Sequence, residues 1–171
     1  MGIANLPRPC IGRYRVSHGS LRYWRNVAAQ PDVAAYRGVC ERGTDQMTSG
    51  NHTDLHGKRV LVVEDEYLIA DDISIRLRDL GARVVGPIAT IDEATAAVCG
   101  NEIDYAVIDI DLRGQASFPL IDLLAKRAIP LLLVTGYDRH DIPACYRQLP
   151  LLNKPTMHDA VATACAQLCS R

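Results

Sequence analysis

An α/β fold built on a parallel sheet is the class this sequence predicts, and three observations carry that expectation. Short apolar runs at Val60–Val63, Tyr105–Ile110 and Leu131–Val134 have the near-continuous hydrophobicity of strands buried on both faces. Amphipathic stretches of helical period separate them, so strand and helix alternate from Lys58 onward. A length of 171 residues with 48% hydrophobic content suits one ordinary core rather than two.

The elements follow in order. After the first strand, Ile69, Ile73, Arg76, Leu77 and Leu80 fall on one helical stripe, and Gly81 stands where a left-handed stop belongs. A second strand is expected around Arg83–Val85. Thr90-Ile91-Asp92-Glu93 reads as a capping box, with the Thr hydroxyl and the Glu carboxylate each satisfying an orphan N–H, and its helix runs to about Cys99. The third strand, Tyr105–Ile110, leads to a helix after Pro119 carrying Leu120, Leu123 and Leu124. Beyond Leu131–Val134 a short helix is expected, with Asp141 as its cap and Pro143 just inside. Leu151-Leu152 forms a brief fifth strand, and Thr156-Met157-His158-Asp159 opens the last helix with a second capping pattern.

The net charge of -1 hides an asymmetry: residues 1–57 carry seven Arg against four acids, and residues 58–171 carry twelve Lys or Arg against sixteen acids. Residues 1–57 show no sustained period beyond a weak helical pattern around Leu21–Ala35, and a mostly disordered extension is expected there. Translation beginning at Met47 would remove most of it. Arg8, Arg13, Arg15, Arg22 and Arg25 lie close to Tyr14, Tyr23 and Trp24, a composition that a nucleic-acid arm would use. Their spacing matches no binding motif, so nucleic acid is not expected as a partner. The six cysteines form no C-x-x-C and follow no apolar signal segment, which points to reduced thiols in a cytoplasmic protein. Cys165 and Cys169 have the spacing of a core face beside Val161 and Leu168. No run approaches the roughly eighteen apolar residues of a membrane span.

In open parallel sheets, ligands sit beyond the carboxyl ends of the strands, where strand order reverses. The polar residues of this chain collect there. Glu64, Asp65 and Glu66 follow the first strand, Asp109 and Asp111 close the third, Thr135 and Gly136 the fourth, and Lys154 the fifth. In a flavodoxin-like three-layer (βα)5 sandwich with strand order 2-1-3-4-5, the first and third strands are neighbours and their acids converge. Like charges about 4 Å apart repel by roughly 4 kcal/mol at an effective dielectric of 20, so such a cluster demands a cation. Singly, each feature has an ordinary explanation in loop solvation, a turn or a helix approach. Four together, each of the right type at successive strand ends, do not.

"VLVVEDE", "AVIDIDL", "LLLVTGY" and "LLNKP", in that order, resemble the receiver domain of bacterial two-component response regulators, over about Lys58 to the C-terminus. The Thr-Gly-Tyr step is similar to a subfamily of stand-alone receivers with a Phe-Ala-Thr-Gly-Tyr-like segment. The resemblance implies that Asp109 is the phosphoacceptor, Glu64 and Asp65 the acidic pair, Thr135 the switch hydroxyl and Lys154 the family's lysine. It implies a histidine kinase or histidine phosphotransfer protein as phosphodonor. With no output domain expected after the fifth helix, it also implies signalling to a downstream protein through the face around residues 141–171, or passage of the phosphate onward. The chemistry agrees with it: carboxylates of Asp65 and Asp109, the backbone carbonyl of Asp111 and several waters suit the small octahedral Mg²⁺ ion, with Glu64 acting through water. Asp109 would then act as a carboxylate nucleophile toward a phosphoryl group.

The chain departs from the family at three places. Arg113 and Gly114 stand where a Pro and a Gly-rich turn are usual, and Arg113 either reaches the phosphate or is merely solvated, with solvation preferred. Gly136 stands where an Ala usually follows the Thr, and Leu151 takes the place of the usual switch aromatic, with Tyr137 either its substitute or an ordinary surface ring beside a glycine. Two other readings compete. Asp109-Ile110-Asp111 also resembles the D-x-D of haloacid-dehalogenase-type phosphatases, but the acid pair precedes it and no cap insertion encloses a substrate. A flavin-phosphate site would need a Ser, Thr or Gly cradle where Glu64-Asp65-Glu66 stand.

Overall fold

The computed structural model describes residues 12–15, 21–24, 55–156 and 160–169. Among these, β1 (Gly12–Arg15) pairs antiparallel with β2 (Leu21–Trp24), Arg13 opposite Tyr23 and Tyr14 opposite Arg22. The helical pattern from Leu21 is therefore overturned at Leu21–Trp24. Tyr23 and Trp24 stand side by side there, and aromatic residues, which favour extended backbone, prevail over a weak helical period. The rest of residues 1–54 lie outside the described residues. The ordered fold also reaches back to Leu55, which is fully buried in the core ahead of the expected boundary at Lys58.

Five parallel strands form the central sheet: β3 (Arg59–Val63), β4 (Arg83–Ile88), β5 (Tyr105–Ile108), β8 (Leu131–Thr135) and β9 (Leu151–Asn153). Their order is β4-β3-β5-β8-β9, the expected reversal, with the first and third sheet strands adjacent. The period-2 alternation of a strand divides the core in two. Leu61, Val63, Ile108 and Leu133 face α2 (Ile91–Gly100) and α3 (Phe118–Lys126). Val60, Val62, Val107, Leu132 and Val134 face α1 (Tyr67–Asp79) and α4 (Ala160–Cys169) through Ile73, Leu77, Val161 and Cys165. Cys165 is the small core hydrophobe its spacing implied. The result is a three-layer α/β sandwich.

Local signals place the helices. Gly81 sits at φ +84°, ending α1 as expected. Thr90 Oγ1 accepts the Glu93 N–H at 3.4 Å, but the Glu93 carboxylate takes the Thr90 hydroxyl at 2.9 Å. Only one side of the capping box is therefore built. The last helix begins at Ala160, and residues 157–159 of its expected cap lie outside the described residues.

The helix expected from Asp141 is absent. Residues 139–149 instead make successive turns with i→i+3 bonds: Asp141 N–H to Asp138, Tyr146 to Pro143 and Leu149 to Tyr146. The cause is the proline spacing. Pro143 and Pro150 leave fewer than two turns between them, too short a run to repay helix nucleation. Side chains satisfy the backbone instead. Arg147 donates to the carbonyls of Ile142 at 2.7 Å and His140 at 2.8 Å, and Arg139 to that of Arg147. Tyr146 anchors the segment: its ring stacks on Phe118 with centroids 4.6 Å apart, and its hydroxyl donates to buried Asp122 at 2.9 Å. Burial pushes the Asp122 carboxyl up, and that hydrogen bond opposes the shift.

A second unforeseen element follows β5. Asp111–Leu112 (β6) and Gln115–Ala116 (β7) form a small antiparallel hairpin whose two turn residues, Arg113 and Gly114, both have positive φ, 54° and 80°. That is the geometry that matches the twist of flanking strands in a two-residue turn.

Gly86 generates a stability prediction. At φ +107°, a Cβ there would lie 2.7 Å from the Val62 carbonyl oxygen and 2.9 Å from the Ile88 nitrogen, beside the register shift between β3 and β4. Gly86→Ala is expected to destabilise the domain by about 1–3 kcal/mol. Urea denaturation should show a lower midpoint at unchanged slope.

Candidate functional site

The site residues hang from the carboxyl ends of the strands, each fixed by a backbone bond that extends the ladder by one step. Glu64 N–H donates to the Ile88 carbonyl at 2.9 Å, Asp109 N–H to Val63 at 2.9 Å, and Lys154 N–H to Thr135 at 2.8 Å. Three strand tips and the start of α1 thus converge at the reversal of strand order, where a ligand site belongs.

Lys154 is the centre of the cluster. Its Nζ lies 2.7 Å from Asp109 Oδ2, 2.9 Å from Glu64 Oε1, 2.8 Å from Glu64 Oε2 and 3.6 Å from Glu66 Oε1. Asp109 and Glu64 are only 6% and 3% exposed, so both carboxylates are bonded where water barely reaches. Burial pushes Asp109 above the ordinary carboxylate range against the pull of Lys154. Burial likewise raises Glu64 to about 7, with the Lys154 bond again opposing it. For Lys154 burial acts downward, but its bonds to Asp109 and Glu64 prevail and the net direction is up.

Oxygens of Glu64, Asp65 and Asp109 all lie within 4.8 Å of one another. They are hard donors, the type that binds small divalent cations. Glu64 Oε2 is buried in ion-pair contact with Lys154 yet has no hydrogen bond, so it retains capacity to bind. These residues fit a cation. Glu64 contacts Lys154 directly. Its Oε1 also accepts the Glu66 N–H at 3.2 Å, at the entry to α1.

The remaining residues complete the rim. Thr135 is fully buried, and its Oγ1 accepts the Tyr137 N–H at 3.3 Å. Asp111 N–H donates to Asp109 Oδ1 at 3.1 Å, so both oxygens of Asp109 are held. The Asp111 carboxylate accepts the Gly114 N–H at 2.8 Å and the Tyr137 hydroxyl at 2.9 Å. Tyr137 is therefore half-buried and bonded, not a free surface ring. Arg113 is exposed, which fits either of its readings, and its backbone N–H donates to Asp65 Oδ2 at 3.2 Å. The site residues drawn from the strand ends thus come together. Sequence reasoning missed the Tyr137–Asp111 bond and the hairpin; the glycine after Arg113 was the one local sign of a tight turn.

Removing Lys154 would strand two buried carboxylates. Lys154→Met is expected to cost about 3–5 kcal/mol at pH 8. The loss should shrink below the Glu64 value of about 7, as protonation removes the uncompensated charge. Chemical denaturation at pH 8 and pH 5 measures both; an equal loss at the two pH values would contradict the charge argument.

The geometry invites comparison with known proteins. No protein-family model matches the chain. It is 28% identical over 86 residues to the transcriptional regulatory protein PdtaR of Mycobacterium tuberculosis, a match covering 50% of this chain and 42% of that one. Among solved structures, the response regulator PhyR from Brucella abortus superposes with a TM-score of 0.61 at 29% identity, covering 69% of this chain and 50% of PhyR. The chain thus spans half or less of these two relatives. SdrG from Sphingomonas melonis Fr1 is matched over 98% of its own length and 67% of this chain, at 36% identity and a TM-score of 0.59. Relatedness at that level over nearly all of SdrG, joined to the shared sheet and the acids at its reversal, means that the chain belongs to the response regulator receiver family.

Proposed function

We propose that this protein is a phosphoacceptor that takes a phosphoryl group onto Asp109 and relays its presence to a protein partner. The observation that carries this reading is the buried Asp109 carboxylate, paired with Lys154 at 2.7 Å inside an acid cluster suited to a cation. We assign the receiver to residues 58–171, residues 1–57 to an extension whose Leu55 packs into the receiver core, and the working compartment to the cytoplasm.

Asp65, Asp109 and the backbone carbonyl of Asp111, with Glu64 beside them, would hold Mg²⁺, which supplies charge neutralisation for the incoming phosphoryl oxygens. Everything else comes from the chain. An Asp109 oxygen attacks phosphorus of a histidine kinase, a histidine phosphotransfer protein or a small acyl phosphate. A new O–P bond forms as the donor's N–P or O–P bond breaks, leaving the donor its electron pair. Lys154 Nζ passes from Asp109 Oδ2 to a phosphoryl oxygen, and the Thr135 hydroxyl donates to another. A swing from 1:99 to 99:1 between two conformations needs roughly 5.5 kcal/mol of differential stabilisation. Hydrogen bonds to charged groups at about 1.5–3 kcal/mol each place two such contacts in that range.

The output face would comprise the turns at 139–149, β9 and α4, the described part of the face expected at 141–171. The phosphatase reading gains nothing, because a general acid at Asp111 would have to leave its bonds to Gly114 and Tyr137.

Incubation with acetyl phosphate and Mg²⁺ should add one phosphoryl group, labile to hydroxylamine, seen by intact-mass spectrometry and absent in Asp109→Ala. An unmodified wild type would sink the proposal. The Glu64 value of about 7 sets a second outcome. A carboxyl raised in the folded state stabilises it fully below the unfolded value near 4.5 and loses that contribution as pH rises through about 7. Metal-free protein should therefore lose stability between about pH 5 and pH 8, and Mg²⁺ should bind with proton release near pH 7. Calorimetry in buffers of different ionisation enthalpy reads that release, which Glu64→Gln should remove.

A further inference from the structure

We infer that Arg113 is a positioning residue for the phosphodonor: its guanidinium meets the anionic phosphoryl group at the mouth of the cup and offsets the repulsion of the acids around it. This rests on the functional reading above and goes beyond it by naming the group that receives the donor's charge.

The first observation is the backbone. Arg113 is a non-glycine residue at φ +54°, a conformation that costs side chains with a Cβ, and Asn or Gly would serve the turn more cheaply. The other such residue, Ala128 at φ +54°, follows the C-terminal end of α3 and is accounted for as a helix stop. The two-residue hairpin turn accounts for the φ of Arg113 but not for the choice of arginine there.

The second observation is position. The hairpin tip is tied to the cup at both turn residues, Arg113 N–H to Asp65 Oδ2 at 3.2 Å and Gly114 N–H to Asp111 Oδ1 at 2.8 Å. The Cα of Arg113 is thereby fixed at the edge of the acid cluster, and its side chain is exposed. A flexible apolar stem lets the charged head sweep the opening without moving the backbone.

The third is charge. Glu64, Asp65, Glu66, Asp109 and Asp111 face one ammonium, Lys154, whose contacts are taken by Asp109, Glu64 and, at 3.6 Å, Glu66. Even with a dication bound, an approaching phosphoryl donor meets a rim that remains negative. A guanidinium offers planar, paired donors suited to phosphate oxygens, and Arg113 is the cation that the fold delivers to this rim from outside.

The test compares rates of phosphorylation at saturating Mg²⁺. With dianionic acetyl phosphate at low salt, Arg113→Ala and Arg113→Gly should be slowed about tenfold, equivalent to about 1.4 kcal/mol of barrier. Arg113→Glu should be slower still, and Arg113→Lys should stay within about threefold of wild type, since a cation remains. Phosphoramidate, with less negative charge, should show a smaller difference. Raising the ionic strength to about 0.5 M should shrink it further. Because glycine accepts the turn conformation, a slow Gly variant with undiminished Mg²⁺ affinity separates a charge effect from a hairpin effect. Equal rates across the series, or a fall in Mg²⁺ affinity that parallels the rate, would overturn the inference alone. A wild type that takes no phosphoryl group would overturn it together with the functional reading.

Discussion

The ammonium of Lys154, held between Asp109 and Glu64, is the contact on which the arrangement at the sheet's edge depends. It joins the fifth sheet strand to the tips of the first and third, across a site where both carboxylates are nearly dry. Burial by itself would neutralise these acids, as the upward direction of both carboxyl groups shows. The lysine opposes that shift in both carboxyl groups. It also leaves the cluster short of positive charge, since several more carboxylates crowd the same mouth. A site with that imbalance suits a cation.

The sheet supplies the precision. Each of the decisive residues stands one step past a strand, held by a backbone bond to the neighbouring strand, so its position is set by the ladder and not by a loop. The same parallel order that creates the reversal brings acids from separate stretches of sequence together. Helices on both faces seal the apolar central strands, while the edge strands β4 and β9 stay partly exposed. Loops then elaborate a frame that is already rigid: the hairpin after β5 leans on Asp65, and Tyr137 ties Thr135 to Asp111.

Much of this was legible in the residues. The apolar runs marked the sheet strands because a doubly buried strand has no polar face to confuse the pattern, and Gly81 marked a helix end because few residues tolerate its backbone. Glu64, Asp65, Asp109, Thr135 and Lys154 could be gathered on paper because topology alone places strand ends together. What stayed hidden depended on tertiary partners. The turns at 139–149 looked like a capped helix, since Asp141 and Pro143 are good starting residues; what displaced the helix is the proline at each end and an anchor, Tyr146 on Phe118 and Asp122, supplied by a distant helix. The Tyr137 hydroxyl found Asp111 across 26 positions of sequence, a pairing no local pattern encodes. At Leu21–Trp24, strand pairing with Gly12–Arg15 outweighed a faint helical period.

The turns between Thr135 and β9 have a consequence of their own. A helix at this place would resist reshaping cooperatively, because its hydrogen bonds open together or not at all. Here the chain is held by isolated contacts: two arginines gripping carbonyl oxygens, a few tight turns and one stacked ring. Such a segment can be redrawn contact by contact, each change drawing on a small energy, while the sheet and α3, on which Tyr146 is anchored, keep their shape. Adaptability is thus confined to the stretch that leaves the buried threonine and returns to the lysine.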